Sequence, residues 1–459
     1  MIETARSNFP GGLSPVDPGS EMVQLAATGG DARGLQRKLW VAAKRSPGRR
    51  FHALYDRIWR GDILQEAWTR VQRNKGAAGV DRQTVAAVRE YGVERLLGEL
   101  QRDLREGSYR PAPVRRVEIP KPQGGKRPLG IPIVRDRIAQ QAARIVLEPI
   151  FEADFLEVSY GFRPRRKATD AKEVLRRSFI DGYQFVFEAD IRNYFSEIDH
   201  ERLLGMVAER VSDRRVLALV RGWLKAGVMD EGEFRRSIAG TPQGGVISPL
   251  LSNIYLQALD LAFVDGARGT LVRYADDFVV ICRSEAQARA AQQLAGEVLA
   301  GLGLELHPEK TKVVDLREGR EGFDFLGCHF RARVSGRMLE RGVRRYYLQR
   351  WPAQRAMNRV RGTIKAKTGR GRAGQDIREV IADLNPILRG WGNYFRTGNA
   401  AKKFNQIDSY VLGRLRGLMI KRYGRNLKAG QTSTWTREFF EAHGLYRLRG
   451  TVRYPGYAS

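Results

Sequence analysis

Two acidic residues stand side by side in an otherwise apolar stretch, LVRYADDFVVI over residues 271–281, where they are Asp276 and Asp277. A third, Asp190, lies near the end of another apolar run, QFVFEADI over residues 184–191. An apolar hairpin gains nothing structurally from neighbouring carboxylates, whose repulsion costs free energy unless a cation sits among them. Hard oxygen donors with no Cys or His beside them suit Mg²⁺. Two such ions can activate a 3′-hydroxyl and stabilise a departing pyrophosphate in an in-line phosphoryl transfer. The competing account is a turn that uses Asp only for its turn propensity. An isolated YxDD does not decide between them.

The carboxylates can act together only if their strands are neighbours. The pattern over 184–191 predicts a buried strand ending at Asp190, and that over 271–281 predicts two short strands around a tight turn. Around them, residues 35–73 show helical spacing, followed by the Gly-rich loop NKGAAGVD at 74–81 and a helix marked by Leu96, Leu97, Leu100 and Leu104. Residues 114–133 read as two strands around a basic turn, Arg137 to Phe151 as a helix, 201–228 as mainly helix and 285–303 as a helix. Short strands are expected at 312–314 and 323–330. After Gly336 the apolar spacing is helical, with Met357, Val360 and Ile364 on one face, then Ile377, Val380, Ile381 and Leu384, then Ile407, Val411, Leu415, Leu418 and Met419. An α+β centre followed by a basic helical bundle is the expected architecture.

Charge points to the partner. The 459 residues carry 80 Lys and Arg against 51 Asp and Glu, a net +29. Residues 331–459 alone hold 29 of the cations and 7 of the acids, interleaved with Tyr346, Tyr347, Trp351, Trp391, Tyr394 and Phe395. Cations that track a backbone beside rings that can stack suit nucleic acid. Spread over several helices, they do not form the single amphipathic stripe of a membrane-surface helix. Two cysteines, Cys282 and Cys328, exclude a disulfide scaffold and a four-Cys zinc site. The N-terminus lacks the order of a signal peptide, and no apolar run reaches membrane-span length, so a cytoplasmic protein that joins the nucleoid when bound to DNA is expected.

Set in order, the segments resemble those of the reverse transcriptases encoded by bacterial group II introns, the intron maturases. NKGAAGVD resembles their N-terminal extension loop, GGKRPLGIPIVRDRIAQQA and SYGFRPRRKATDA their fingers, and FEADIRNYFSEIDH the first palm motif. GTPQGGVISPLLSNIYL and VRYADDFVVIC resemble the next palm motif and the catalytic hairpin, HPEKTKVV and FDFLGCHF the last palm motifs, and LNPILRGWGNYF a motif of the thumb, or maturase, domain. The resemblance implies a right-hand polymerase: a flexible tail over 1–34, an N-terminal extension over 35–110, fingers and palm over 111–330, a helical thumb over 331–425, and a short basic DNA-binding segment over 426–459. It implies copying of RNA into DNA from dNTPs, with group II intron RNA, an RNA template, a DNA primer and target DNA as partners, and assistance to splicing and retrohoming.

The same resemblance implies residue roles. Asp190, Asp276 and the backbone of Ile191 would hold two Mg²⁺ ions, with Asp277 the accompanying acid. Phe195 would be the aromatic gate that excludes a 2′-hydroxyl. Gln243 and Gly244 would line the nucleotide pocket, and Lys121 and Arg127 would grip the triphosphate, Arg as a fork and Lys as a point charge. Lys310 and Lys312 are both candidates to protonate the departing pyrophosphate. Two departures stand out. No Cys follows Cys328, so the endonuclease domain of many members is expected to be absent. Asn193 and Ser196 occupy positions where small or acidic residues are common. A domesticated, defence-associated or CRISPR-associated enzyme, and a non-catalytic RNA-binding splicing factor, are the competing readings.

Overall fold

The computed structural model describes residues 31–120, 125–230, 233–235, 240, 244–334 and 339–454. Its strands are β1 (Val114–Pro120), β2 (Lys126–Ile131), β3 (Phe185–Asp190), β4 (Val228–Asp230), β5 (Glu233–Arg235), β6 (Thr270–Tyr274), β7 (Asp277–Cys282), β8 (Lys312–Asp315), β9 (Gly322–Phe325), β10 (Cys328–Val334) and β11 (Tyr346–Pro352). They form sheets of order β2–β1–β4–β5, β6–β7–β3–β8 and β11–β10–β9. With the helices between and after them, the fold is α+β.

The chain divides into two compact units. The first gathers Met1–Arg166, Ala189–Phe278 and Ala290–Thr311. At its centre is a helix over Val134–Glu152 that is buried almost all round. The helices Asp31–Arg45 and Gly61–Arg73 pack on it. Residues 35–73 are therefore helical as expected, but broken where Pro47 and Gly48 interrupt the pattern. The helix Val93–Glu106 buries Leu96, Leu97, Leu100 and Leu104 and stops at Gly107, whose φ of +75° suits the left-handed end of a helix. The expected strands around the basic turn, β1 and β2, are antiparallel, with Val117 opposite Leu129. The NKGAAGVD loop is held from below by Arg115 and Arg137, which donate to the carbonyls of Ala78 and Ala77.

One carboxylate of this unit carries a pH dependence. Asp136 is buried, accepting from the Tyr109 hydroxyl at 2.7 Å and from the Ala112 amide at 2.9 Å. Burial pushes its carboxyl up to about 6, against the lowering pull of those two bonds. The folded state thus holds this proton more tightly than the unfolded chain does. The stability it contributes is full below about pH 4 and is lost as pH rises through 6. Asp136→Asn removes that dependence. Wild-type stability is expected to fall by roughly 2 kcal/mol more than the variant's between pH 4 and pH 7. Denaturant melts of the two proteins check this, and parallel pH profiles contradict it.

The second unit gathers Lys167–Glu188, Val279–Arg289 and Lys312–Ser459. Here β8 runs antiparallel to β3, with Glu188 opposite Lys312. The helices Gln354–Lys367, Ile377–Phe395 and Ala401–Tyr423 bury the apolar faces read from the sequence, Met357, Val360 and Ile364 on the first among them. One element departs from the expected run of helices after Gly336: residues 346–352 form β11, antiparallel to β10 from Val334–Tyr346 to Cys328–Pro352. The expected stacking rings also divide. Trp391 and Phe395 face each other at 4.9 Å, and Trp391 meets Phe404 at 5.5 Å, so these rings fill the bundle. Tyr394 lies 4.0 Å from the ammonium of buried Lys172 and donates its hydroxyl to the Leu326 carbonyl at 2.8 Å. Asn385 of the same motif binds residues 444–446, donating to the Gly444 carbonyl and accepting from the Tyr446 amide, each at 2.8 Å. Tyr346, Tyr347 and Trp351 remain half-exposed on β11, each beside an Arg side chain.

Candidate active site

The expected hairpin forms: β6 ends at Tyr274, Ala275 and Asp276 make the turn, and Asp277 opens β7. Beside β7 in the sheet is β3. The Gln184 amide donates to the Cys282 carbonyl at 2.9 Å, so the start of β3 meets the end of β7 and the two run antiparallel. Asp190 therefore ends its strand on the side where β7 begins with Asp277. The apolar residues on both sides of each strand, Phe185 to Phe187 and Phe278 to Cys282, are buried and fix this register. Asp190 and Asp276 are half-buried and Asp277 is exposed.

The end of β3 is held on its other edge. The His307 amide donates to the Asp190 carbonyl at 2.7 Å and the Arg192 amide to the Glu305 carbonyl at 2.9 Å. These bonds flank Ile191, so the carbonyl of Ile191 itself points to the opposite edge of the strand. Lys310 donates to Asp190 Oδ2 at 2.6 Å, whereas Lys312 pairs with Glu188 at 3.4 Å. The two lysines that the sequence leaves equivalent are thus distinguished: Lys310 is the one at the Asp190 carboxylate.

Arg273, which sequence reasoning passes over, shapes the turn. It is 0% exposed, as is its partner Asp260 on the helix Ser248–Ala262. Its guanidinium donates to both Asp260 oxygens at 2.5 and 2.6 Å, to Asn253 Oδ1 at 3.1 Å, to Ser159 Oγ at 2.8 Å and to the Ala275 carbonyl at 2.9 Å. Burial works against its charge, but the Asp260 carboxylate more than offsets this and holds its pKa above the ordinary value. Ala275 takes a φ of +61°, a left-handed conformation that an alanine keeps only when its surroundings impose it. Arg273 supplies one restraint and Gly161 another. A β-carbon at 161 would collide with the Ala275 amide nitrogen and lie 2.8 Å from the Tyr274 carbonyl carbon. An acid inside the apolar helix SPLLSNIYLQALDLA and an Arg inside the apolar strand TLVRY each need a partner, and that shared need is the sequence signal for the pair.

The nucleotide-side residues are placed unevenly. Phe195 is half-buried on the short helix Tyr194–Glu197, its ring 5.0 Å from Tyr194. Tyr194 anchors that helix by donating to the Ser252 carbonyl at 2.9 Å. Asn193 begins it with a φ of +45°, a conformation that Asn tolerates and that accounts for Asn at this departure from the family pattern. Gly244 has a φ of +119° and packs against β2, where a β-carbon would come 2.7 Å from the Gly130 carbonyl. The backbone of Arg127 lies in β2 opposite Ile119. The Arg127 side chain, Lys121 and Gln243 lie outside the described residues.

Whether the acids fit divalent ions rests on their donors. Among the described residues no three His, Cys, Asp or Glu side chains form a group that could hold a metal. The described residues therefore offer no closed cage of such side chains. Mg²⁺ does not require one, because it is commonly held by one or two carboxylates, with waters and substrate phosphates completing the shell. Carboxylate and carbonyl oxygens at the ends of neighbouring strands fit that manner of binding. Lys310 already sets one positive charge beside the Asp190 carboxylate.

The reverse transcriptase (RNA-dependent DNA polymerase) family profile matches residues 119–330, and the group II intron maturase-specific domain matches residues 357–435. The protein YkfC of Escherichia coli is 38% identical over 335 residues, covering 64% of this chain and 86% of its own length. The group II intron-encoded protein LtrA of Lactococcus lactis is 39% identical over 213 residues, 46% of this chain and 35% of LtrA. A 91 kDa protein in the cob intron of Schizosaccharomyces pombe is 26% identical over 422 residues, 76% of this chain and 51% of its own length. Among the described residues no helix is long and apolar enough to cross a membrane. With a reverse transcriptase domain over residues 119–330 and a maturase-specific domain after it, the chain belongs to the bacterial group II intron reverse transcriptase/maturase family and is an RNA-directed DNA polymerase.

Proposed function

We propose that this enzyme copies RNA into DNA with two Mg²⁺ ions held by Asp190, Asp276, Asp277 and the Ile191 carbonyl, and that it binds its parent intron RNA to assist splicing and retrohoming. The observation that carries the reading is the placement of three carboxylates at the ends of neighbouring strands, in a chain that continues into a maturase domain. When bound, the ions supply Lewis acidity to the attacking 3′-hydroxyl and to the departing pyrophosphate. The chain's own side chains do the rest. Lys121 and Arg127 grip the triphosphate, and Gln243 and Gly244 line the pocket. Arg273 sets the turn, and Lys310, at the Asp190 carboxylate, is placed to hold a proton near the leaving group.

Extension of a DNA primer on an RNA template, with and without Mg²⁺, tests the reading; no Mg²⁺-dependent incorporation leaves an RNA-binding protein only. Phe195 tests the sugar choice. Phe195→Ala is expected to raise ribonucleotide incorporation relative to deoxynucleotide incorporation by about ten- to a hundredfold, the range in which a site distinguishes substrates by steric fit. Unchanged discrimination removes Phe195 from the gate. Exposed cations among the 29 of residues 331–459 neutralise phosphates of the intron RNA, so affinity falls steeply with salt. Nascent DNA strands and the target DNA are the partners for primer and insertion.

A further inference from the structure

Phe162 combines an unfavourable backbone conformation with a half-exposed aromatic ring. Its φ is +60°, a conformation that bulky L residues rarely adopt, and its side chain is 47% exposed. Both neighbours are fixed. Gly161 lies against the backbone of Tyr274 and Ala275, and its carbonyl accepts from Asn253 Nδ2 at 2.9 Å. Arg163 is buried, paired with Glu152 at 2.7 Å and donating to the carbonyls of Ser159 at 2.8 Å, Phe155 at 3.3 Å and Leu156. The Tyr160 amide donates to the Arg273 carbonyl at 2.8 Å. A half-exposed aromatic ring is thus held on a strained backbone, next to Gly161, which lies against the backbone of Tyr274 and Ala275.

We propose that Phe162 is a nucleobase-stacking residue that seats the end of the template–primer duplex beside the catalytic turn. The inference rests on the polymerase reading of that turn. Every base presents a π face, so an aromatic platform tolerates all sequences, as copying requires. The ring would receive either the first unpaired template base or the terminal primer base, and the rigid backbone on both sides fixes its position before substrate arrives.

The test uses the full-length protein and an RNA template–DNA primer carrying 2-aminopurine either at the first unpaired template position or at the primer terminus. Measurements are made in EDTA, without dNTP. Wild type is expected to quench the probe in one arm, Phe162→Ala to lose that quenching, and Phe162→Trp to keep it. Catalytic efficiency of Phe162→Ala should fall about ten- to a hundredfold. Phe162→Asn, which tolerates the left-handed backbone, should melt no lower than wild type while losing the quenching. Equal fluorescence of wild type and Phe162→Ala in both arms overturns the proposal. So does a Phe162→Asn protein that melts several degrees lower, since the ring would then serve the fold. Stacking is read without catalysis, so failure of the polymerase reading shows separately, as absent primer extension by wild type.

Discussion

Replacing Asp276 by Ala is expected to lower DNA synthesis on an RNA template by about three orders of magnitude, some 4 kcal/mol of transition-state stabilisation, while leaving RNA affinity within about twofold. The carboxylate lies in the turn itself, between Ala275 and the first residue of β7. The turn's shape comes from elsewhere: the bond from Arg273 to the Ala275 carbonyl and the close approach of Gly161. Removing the carboxylate leaves both restraints in place, so the loss should be chemical rather than structural. Primer extension and filter binding on the same preparation separate the two effects. Retained synthesis removes Asp276 from the reacting centre, and a parallel loss of RNA binding assigns it to the fold.

Arg273→Ala should be the more damaging change to the protein as a whole. It strips the partner from Asp260, a carboxylate with no exposure to water, and leaves the Ser159 hydroxyl, Asn253 and the Ala275 carbonyl without their shared donor. Breaking a buried pair from one side costs about 3–5 kcal/mol, because the surviving charge stays buried. Denaturant unfolding is expected to show that loss. Arg273→Lys refines the point. An ammonium can still meet Asp260 but has no planar fork to span four partners at once. It should recover part of the stability yet still synthesise DNA more slowly than wild type, since Ala275 loses a restraint on its left-handed conformation. If Arg273→Lys regains stability and activity in the same proportion, the residue serves packing alone.

What was legible in the sequence follows from which interactions are local. The hairpin at 271–281 was readable because apolar residues flank the turn and two acids interrupt them. The helices of residues 354–423 were readable from their 3.6-residue spacing. The strand β11 was not, because its inward position 350 is an Arg. That guanidinium is buried by bonds to the carbonyls of Lys172 and Thr397, distant in sequence. Trp391 and Phe395 looked available for stacking because a ring's composition says nothing of which way it faces. Lys310 and Lys312, two residues apart, could be told apart only when Asp190 and Glu188 were placed opposite them. Arg273 stands out in sequence only by its place in the apolar strand TLVRY, and its role appears once the helix carrying Asp260 is set beside it.

The most direct test of the site replaces Mg²⁺ with Fe²⁺ and maps where hydroxyl radicals, generated with ascorbate and peroxide, cut the polypeptide. Ions shared by the ends of β3 and β7 predict cuts close to residues 190–191 and close to residues 275–277 in the same protein, both suppressed by excess Mg²⁺. Cuts confined to one of those segments, or cuts at both that excess Mg²⁺ leaves unchanged, would contradict a common metal site formed by Asp190, Asp276 and Asp277.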